Sequence, residues 1–192
     1  MTGRTHDMAA FTALSLTVAV VPLTHMSLAT GVVAVAANLI GGLAPDIDQP
    51  TAKLWHYIPV GSVIGRLIDP FLGGHRTISH SIIGVILFGF LAKLFLETIS
   101  SVLLVNIVIV WWAFMIGFIS HLIMDLFTHE GEPLLFPLHF HFGIPPIKAL
   151  RIKTGGFAEK IFVFPGLIII TGFIYYLQYT KFIDFLKHFI GK

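Results

Sequence analysis

His121 and Asp125 stand four residues apart inside the apolar run "ISHLIMDLF". On an α-helix that spacing sets the two side chains about 40° apart around the axis. An imidazole and a carboxylate leaving one helical face are suited to hold Zn²⁺ or a similar divalent cation. A hydrogen bond from each to a neighbouring helix would satisfy them as well. Ionisable groups inside apolar segments are nevertheless costly, and by default they mark function.

Three more clusters have metal-ligand character. In "GGLAPDIDQP", Asp46 and Asp48 flank Ile47 after a Gly-Gly helix stop and a proline. Such a turn aims two carboxylates at one point, although acidic residues near proline also serve simply as turn formers. In "GGHRTISHS", His75 and His80 are five apart, which on a continuous helix would separate them by about 140°. The expected arrangement is therefore His75 in the Gly73-Gly74 turn and His80 in the first helical turn, with Thr77 as N-cap. His6 precedes the first apolar segment; alone, it reads equally well as a solvated interfacial residue.

Composition indicates the solvent these groups face. Of 192 residues, 56% are hydrophobic and only 11% charged, and the mean hydropathy is +0.89. Soluble domains carry about 25% charged residues, so the bilayer is the expected medium. The absence of cysteine excludes disulfides and thiolate ligands. A net charge of +2 gives no indication of nucleic acid as a partner. The start, "MTGRTHDMAAF", lacks signal-peptide layout and is expected to be retained.

A spanning helix needs about 20 apolar residues. Residues 78–99, 102–127 and 161–179 qualify, the last with a kink expected at Pro165. Residues 8–23 and 28–43 form a shorter hairpin pair, giving five spans, with four spans, or a hairpin that dips in and returns, as alternatives. The predicted fold is all-α: a polytopic integral membrane bundle of four to five segments with a metal site at one membrane face. Residues 1–180 form the membrane-embedded domain and 181–192 an amphipathic basic tail. The segment "KLWHYIPVGSVIGRLIDPF" is predicted to hold an interfacial helix, with Trp55 and Tyr57 at headgroup level. Lys93 and Glu97 read as a snorkelling ion pair.

Alternation of five spans puts His6, Asp46, Asp48, His75, Arg76, His80, His121 and Asp125 on one membrane face. The same face receives Arg4, Lys53, Arg66, Lys148, Arg151, Lys153 and Lys160, so the positive-inside rule predicts that it is cytoplasmic. The tail lysines 181, 187 and 192 fall on the opposite face, against that rule.

"TGRTH", "LAPDIDQP", "HRTISHS", "SHLIMDLFTHEG" and "RIKTGGFAEK" resemble, in order, motifs of the YdjM-type inner-membrane family, described as metal-dependent hydrolases. The likeness runs from His6 to about Glu159. The family's chemistry is described by its similarity to zinc-dependent phospholipases C and P1-type nucleases. The resemblance implies His6, Asp46, Asp48, His75, His80, His121, Asp125 and, more weakly, Glu159 as metal ligands. It implies divalent ions, zinc first with manganese or magnesium as alternatives, and more than one of them. His129-Glu130 departs from the family pattern at the outer edge of the site.

The resulting expectation is a multi-pass protein of the inner (cytoplasmic) membrane that hydrolyses a phosphoester, such as a phospholipid, by metal-activated water. Asp46 or Asp48 would bridge metals or act as general base, and Arg76 would stabilise phosphoryl charge. The rival expectation is a non-enzymatic metal-binding or structural membrane protein. Transport is disfavoured, because the ionisable groups gather at helix ends and leave midspan residues 86–90 and 105–110 bare.

Overall fold

Long apolar runs form helices because the bilayer offers the backbone no hydrogen bonds, so each segment must satisfy its own. The computed structural model of the chain describes residues 1–21, 26–57, 59–68, 70, 73, 76–138 and 140–190. Among them the α-helices are α1 (Gly3–Val20), α2 (Leu28–Leu43), α3 (Lys53–His56), α4 (Gly61–Ile68), α5 (Ile82–Ile99), α6 (Ile107–Leu126), α7 (Phe164–Leu177) and α8 (Tyr179–Ile190). No strand occurs among the described residues, only isolated bridges at Thr128–Ile152 and Glu132–Phe142. Four stretches are long and apolar enough to cross a membrane: Leu28–Asp48, Ile82–Ile99, Ile107–Leu126 and Glu159–Leu177.

α1 runs the length of the bundle beside these four. At one end Thr5 Oγ1 donates to Glu159, which begins the last span. Midway, the hydroxyls of Thr12 and Thr171 are 2.8 Å apart. At the other end Lys181 of α8 meets the last carbonyls of α1. Helices α1, α5 and α7 therefore run one way, and α2 and α6 the other.

The centre of the bundle is the α2–α6 contact. Asn38 Nδ2 donates to the Ala113 carbonyl at 3.0 Å, and Ala113 packs with Leu14 and Ala34. Gly41 and Gly117 let the two backbones close up, while Gly42 admits Ala10 of α1. Dispersion rather than hydrophobic burial holds helices together in lipid, so close approach of small residues is the main cohesive term. α5 turns Ile82, Ile83, Ile86, Phe90, Leu94 and Phe95 outward, as a lipid-facing helix should.

Several expectations are corrected. Gly41-Gly42 does not stop α2: both lie inside it, and the chain continues as a 3₁₀ turn over Ala44–Asp48. α1 starts at Gly3, so His6 sits within the helix. Ser81, not Thr77, caps α5, its Oγ accepting from Gly84 N at 3.2 Å, so His80 precedes the helix. Pro165 lies in the first turn of α7, where its missing N–H costs nothing, and is preceded by a π-helical turn over Glu159–Val163. The interfacial helix divides into α3 and α4, broken where Val60 takes φ 61°. Trp55 is buried, its indole donating to the Ile47 carbonyl at 3.2 Å, while Tyr57 is exposed. Lys93 and Glu97 do pair at 3.8 Å on an exposed surface.

α8 lies at the end of the bundle away from Glu159, which gives one of the discordant tail lysines a structural task. Lys181 Nζ donates to the carbonyls of Val18, Ala19 and Val21 at 2.7, 2.9 and 2.6 Å. These close the C-terminus of α1, where a cation also opposes the negative end of the helix dipole. Lys181→Met is expected to lower stability by about 1–2 kcal/mol and to speed amide exchange in α8. Unchanged exchange there would contradict the capping role.

Candidate metal centre

The inner stripe of α6 decides what happens at its end. Val110, Ala113, Gly117, His121 and Asp125 recur at three- and four-residue intervals and are buried. The stripe that fits against α2 therefore carries His121 and Asp125 into the bundle rather than toward lipid. His121 Nδ1 lies 2.7 Å from the Gly42 carbonyl. A carbonyl only accepts, so Nδ1 holds the proton and the lone pair of Nε2 points into the site.

The other clusters converge on that lone pair. The His6 ring stacks on His121 with centroids 3.6 Å apart and 9° between planes, and the His80 ring stands edge-on at 5.4 Å. Asp46 Oδ1 is 3.6 Å from His121 Nε2 and 3.7 Å from His80 Nε2. Asp125 Oδ1 is 3.2 Å from His6 Nε2. Ligand atoms lie within 4.8 Å of one another in three overlapping groups: His6–His121–Asp125, Asp46–His80–His121 and His80–Asp125–Glu132. His121 has one lone pair to give, so it can serve one ion only, and any bridging falls to carboxylates.

Two donors test whether a cation fits. His121 Nε2 and both Glu132 oxygens are buried without a hydrogen-bond partner among the described residues. Leaving such groups unmet is costly, and divalent ions with oxygen and nitrogen ligands would meet them, His121 and Glu132 belonging to different ligand groups. Burial raises the Glu132 carboxyl to about 8, against the pull of His80 and Arg76. Burial disfavours a charged His80, but the adjacent carboxylates of Asp46, Asp48 and Glu132 outweigh it and raise the ring to about 10. Both shifts run in the direction that a bound cation would relieve.

Asp48 sits behind His80 rather than among the ligand groups. Its Oδ2 accepts from the Arg76 backbone N–H at 2.9 Å and from Ser79 Oγ, and lies 3.4 Å from His80 Nδ1. A carboxylate behind a histidine fixes ring orientation and strengthens its outward nitrogen. Arg76 takes φ 58°, which turns its N–H to Asp48. Its guanidinium then reaches Asp125, the Gly131 carbonyl at 3.0 Å and Thr128 Oγ1 at 3.3 Å. Arg76 Nε is buried with no hydrogen-bond partner among the described residues. The Met1 ammonium also contacts Asp125.

Glu159 is placed apart from the ligand groups. Its Oε1 accepts from Thr2 N, Thr2 Oγ1 and Thr5 Oγ1, and its Oε2 from Gly155 N. It ties the start of α1 to the last span. His75 lies outside the described residues. Glu132 was missed from sequence. It is fully buried, positioned by reciprocal backbone hydrogen bonds of 2.8 Å with Phe142. The available signal was an acid between glycine and proline at the edge of the apolar run "PLLFPL".

The sequence model of the YdjM inner membrane protein family matches residues 1–182. The uncharacterized protein YvsG of Bacillus subtilis (strain 168) is 30% identical over 146 residues, covering 75% of this chain and 79% of that protein. The inner membrane protein YdjM of Escherichia coli (strain K12) is 29% identical over 119 residues, covering 58% of this chain and 53% of that protein, about half its length. No solved structure gives a significant match. With a match over nearly the whole length and four membrane-grade helices, this multi-pass chain belongs to the YdjM inner membrane protein family.

Proposed function

We propose that the chain is a metal-dependent hydrolase acting on a phosphoester at the membrane surface. The observation that supports this best is the inward, protein-fixed lone pair of His121 Nε2 facing Asp46, Asp125, His6 and His80. His6, Asp46, His80, His121, Asp125 and Glu132 would hold the ions, with zinc favoured by the imidazole-rich set and manganese or magnesium as alternatives. A bound divalent ion supplies Lewis acidity, polarising a phosphoryl oxygen and acidifying a water near neutral pH.

The chain's own groups do the rest. Asp46 is the most exposed of the ligand carboxylates, with 17% of its side chain accessible. It is the group best placed to take a proton from an entering water. Asp48 holds His80 in orientation from behind, and the Gly42 carbonyl does the same for His121. Arg76 Nε has a donor left for a phosphoryl oxygen, in a buried setting where such a contact is strong. Membrane lipid is the nearest source of phosphoesters.

Elemental analysis of the detergent-purified protein, beside hydrolysis assays on phospholipids and a generic phosphodiester, tests this. Bound zinc or manganese at one or more per chain, with chelator-sensitive hydrolysis, is the expected outcome. Stoichiometric metal without hydrolysis of any such substrate would favour a binding module. One observation favours a metal-free alternative: Asp125 already has the Arg76 guanidinium and the Met1 ammonium as cationic partners. A purely ionic network predicts no retained metal and no response to chelator.

The site is further proposed to face the cytoplasm, supported by Arg4, Lys53, Arg66, Lys148, Arg151 and Lys153 at that end of the bundle. The chain has no cysteine, so single introduced thiols report sidedness cleanly. In intact cells an impermeant maleimide is expected to label Lys187→Cys, but Lys148→Cys only after permeabilisation. The reverse pattern would overturn the orientation.

A further inference from the structure

Arg4 and His6 are two residues apart on α1, so they point about 200° away from each other. The face of α1 that carries Arg4 looks onto a groove of ≈390 Å³ lined by Arg4, Asp7, Met8, Phe11, Val35 and Leu39. Phe11 and Val35 also line a cavity of ≈600 Å³ that continues toward α8, walled by Leu14, Trp112, Phe182 and Phe185. The two hollows thus adjoin at Phe11 and Val35 and follow one another along α1, from the metal-site end of the bundle to the tail helix.

The walls demand hydrocarbon. Of the three hydroxyl residues that border the cavity, two are already spent: Ser15 Oγ donates to the Phe11 carbonyl at 2.8 Å and Thr17 Oγ1 to the Ala13 carbonyl at 2.9 Å, and the third is Tyr175. The mouth demands the opposite. Arg4 is exposed and makes no ion pair among the described residues. Beside it Asp7 is neutralised by Lys53 through Oδ2, while Asp7 Oδ1 is buried without a hydrogen-bond partner among the described residues. From Arg4 to Val18 the track runs about 21 Å at 1.5 Å per residue, close to half of a bilayer about 40–45 Å thick with its headgroups. That length and the apolar lining suit a single hydrocarbon chain of a small amphiphile.

We propose that this track binds one glycerophospholipid. Its acyl chain fills the cavity against α8, its phosphate pairs with Arg4, and a headgroup hydroxyl or ammonium donates to Asp7 Oδ1. The site lies on the face of α1 opposite the ligand histidine and is independent of the metal reading.

Native mass spectrometry of protein reconstituted with phosphatidylglycerol or phosphatidylethanolamine, then exchanged into detergent, tests the proposal. Wild type is expected to retain one phospholipid. A side chain at Gly31 projects into the cavity, its Cβ meeting only Met26 Cε at 3.6 Å and Phe185 Cζ at 3.9 Å. Gly31→Phe should therefore cut retention about tenfold, with helicity by circular dichroism and bound metal matching wild type. Arg4 is exposed, so Arg4→Gln should leave the fold intact and weaken retention without blocking the cavity. Loss of all phospholipid from wild type during exchange would overturn the proposal. So would equal retention by wild type and Arg4→Gln, or by wild type and a folded Gly31→Phe.

Discussion

His121→Ala is expected to abolish stoichiometric metal binding, lowering affinity by at least about 100-fold, and to remove hydrolysis with it. The size follows from the position of the ring. His121 stands in two of the three ligand groups, so whichever ion its Nε2 serves loses a fixed nitrogen ligand. Loss of groups that merely orient ligands already costs roughly 10–100-fold, and a ligand should cost more. The substitution also leaves the Gly42 carbonyl without its partner, so some stability is lost regardless of metal. Separating the two effects needs thermal unfolding with and without added zinc. Wild type is expected to gain stability from zinc through linkage, and His121→Ala to gain none. Exposed His141→Ala should behave as wild type. If chelator leaves the wild-type midpoint unmoved and His121→Ala is merely less stable, the cluster is an ionic network and not a metal centre.

The convergence at this site was legible because it depends on few facts. Polar clusters at the starts of odd segments and the ends of even ones must share a face if spans alternate, and His6, Asp46, His80, His121 and Asp125 do meet. The i, i+4 spacing placed His121 and Asp125 on one stripe, and the helix preserved it. Roles set by tertiary contact were not legible. Nothing local distinguishes Asp46 from Asp48, two residues apart. The 3₁₀ turn puts the first beside His121 and turns the second to Ser79 and the Arg76 backbone. Glu159 lies in a family-like motif, but hydroxyl and backbone donors of Thr2 and Thr5 surround it. Glu132 depends on a bridge to Phe142 within a proline-rich loop, where periodicity carries no information. Trp55 reads as an interfacial residue by type, yet the chain folds over it, with Gly65 packed against the indole.

The second large effect links the fold to the site. Gly117→Ala is expected to destabilise the protein by about 2–3 kcal/mol, the upper range for overpacking, and to weaken metal binding as well. A Cβ there would overlap the Asn38 carbonyl oxygen and stand 2.8 Å from Gly42 N. These are backbone atoms of α2 and cannot rotate away, so the helices must separate. His121 lies one turn beyond Gly117, and its Nδ1 proton is held by the carbonyl of that same Gly42. Moving α2 outward stretches this bond and frees the ring to turn. Gly172 in α7 is the matched control, since a Cβ there meets nothing within 4 Å. By helix propensity alone, Gly172→Ala should be neutral or stabilising by about 0.5–1 kcal/mol. Unfolding midpoints and metal content of both variants measure the contrast. If alanine is tolerated equally at 117 and 172, close approach of α2 and α6 is not what holds the bundle together, and the orienting of His121 by Gly42 loses its basis.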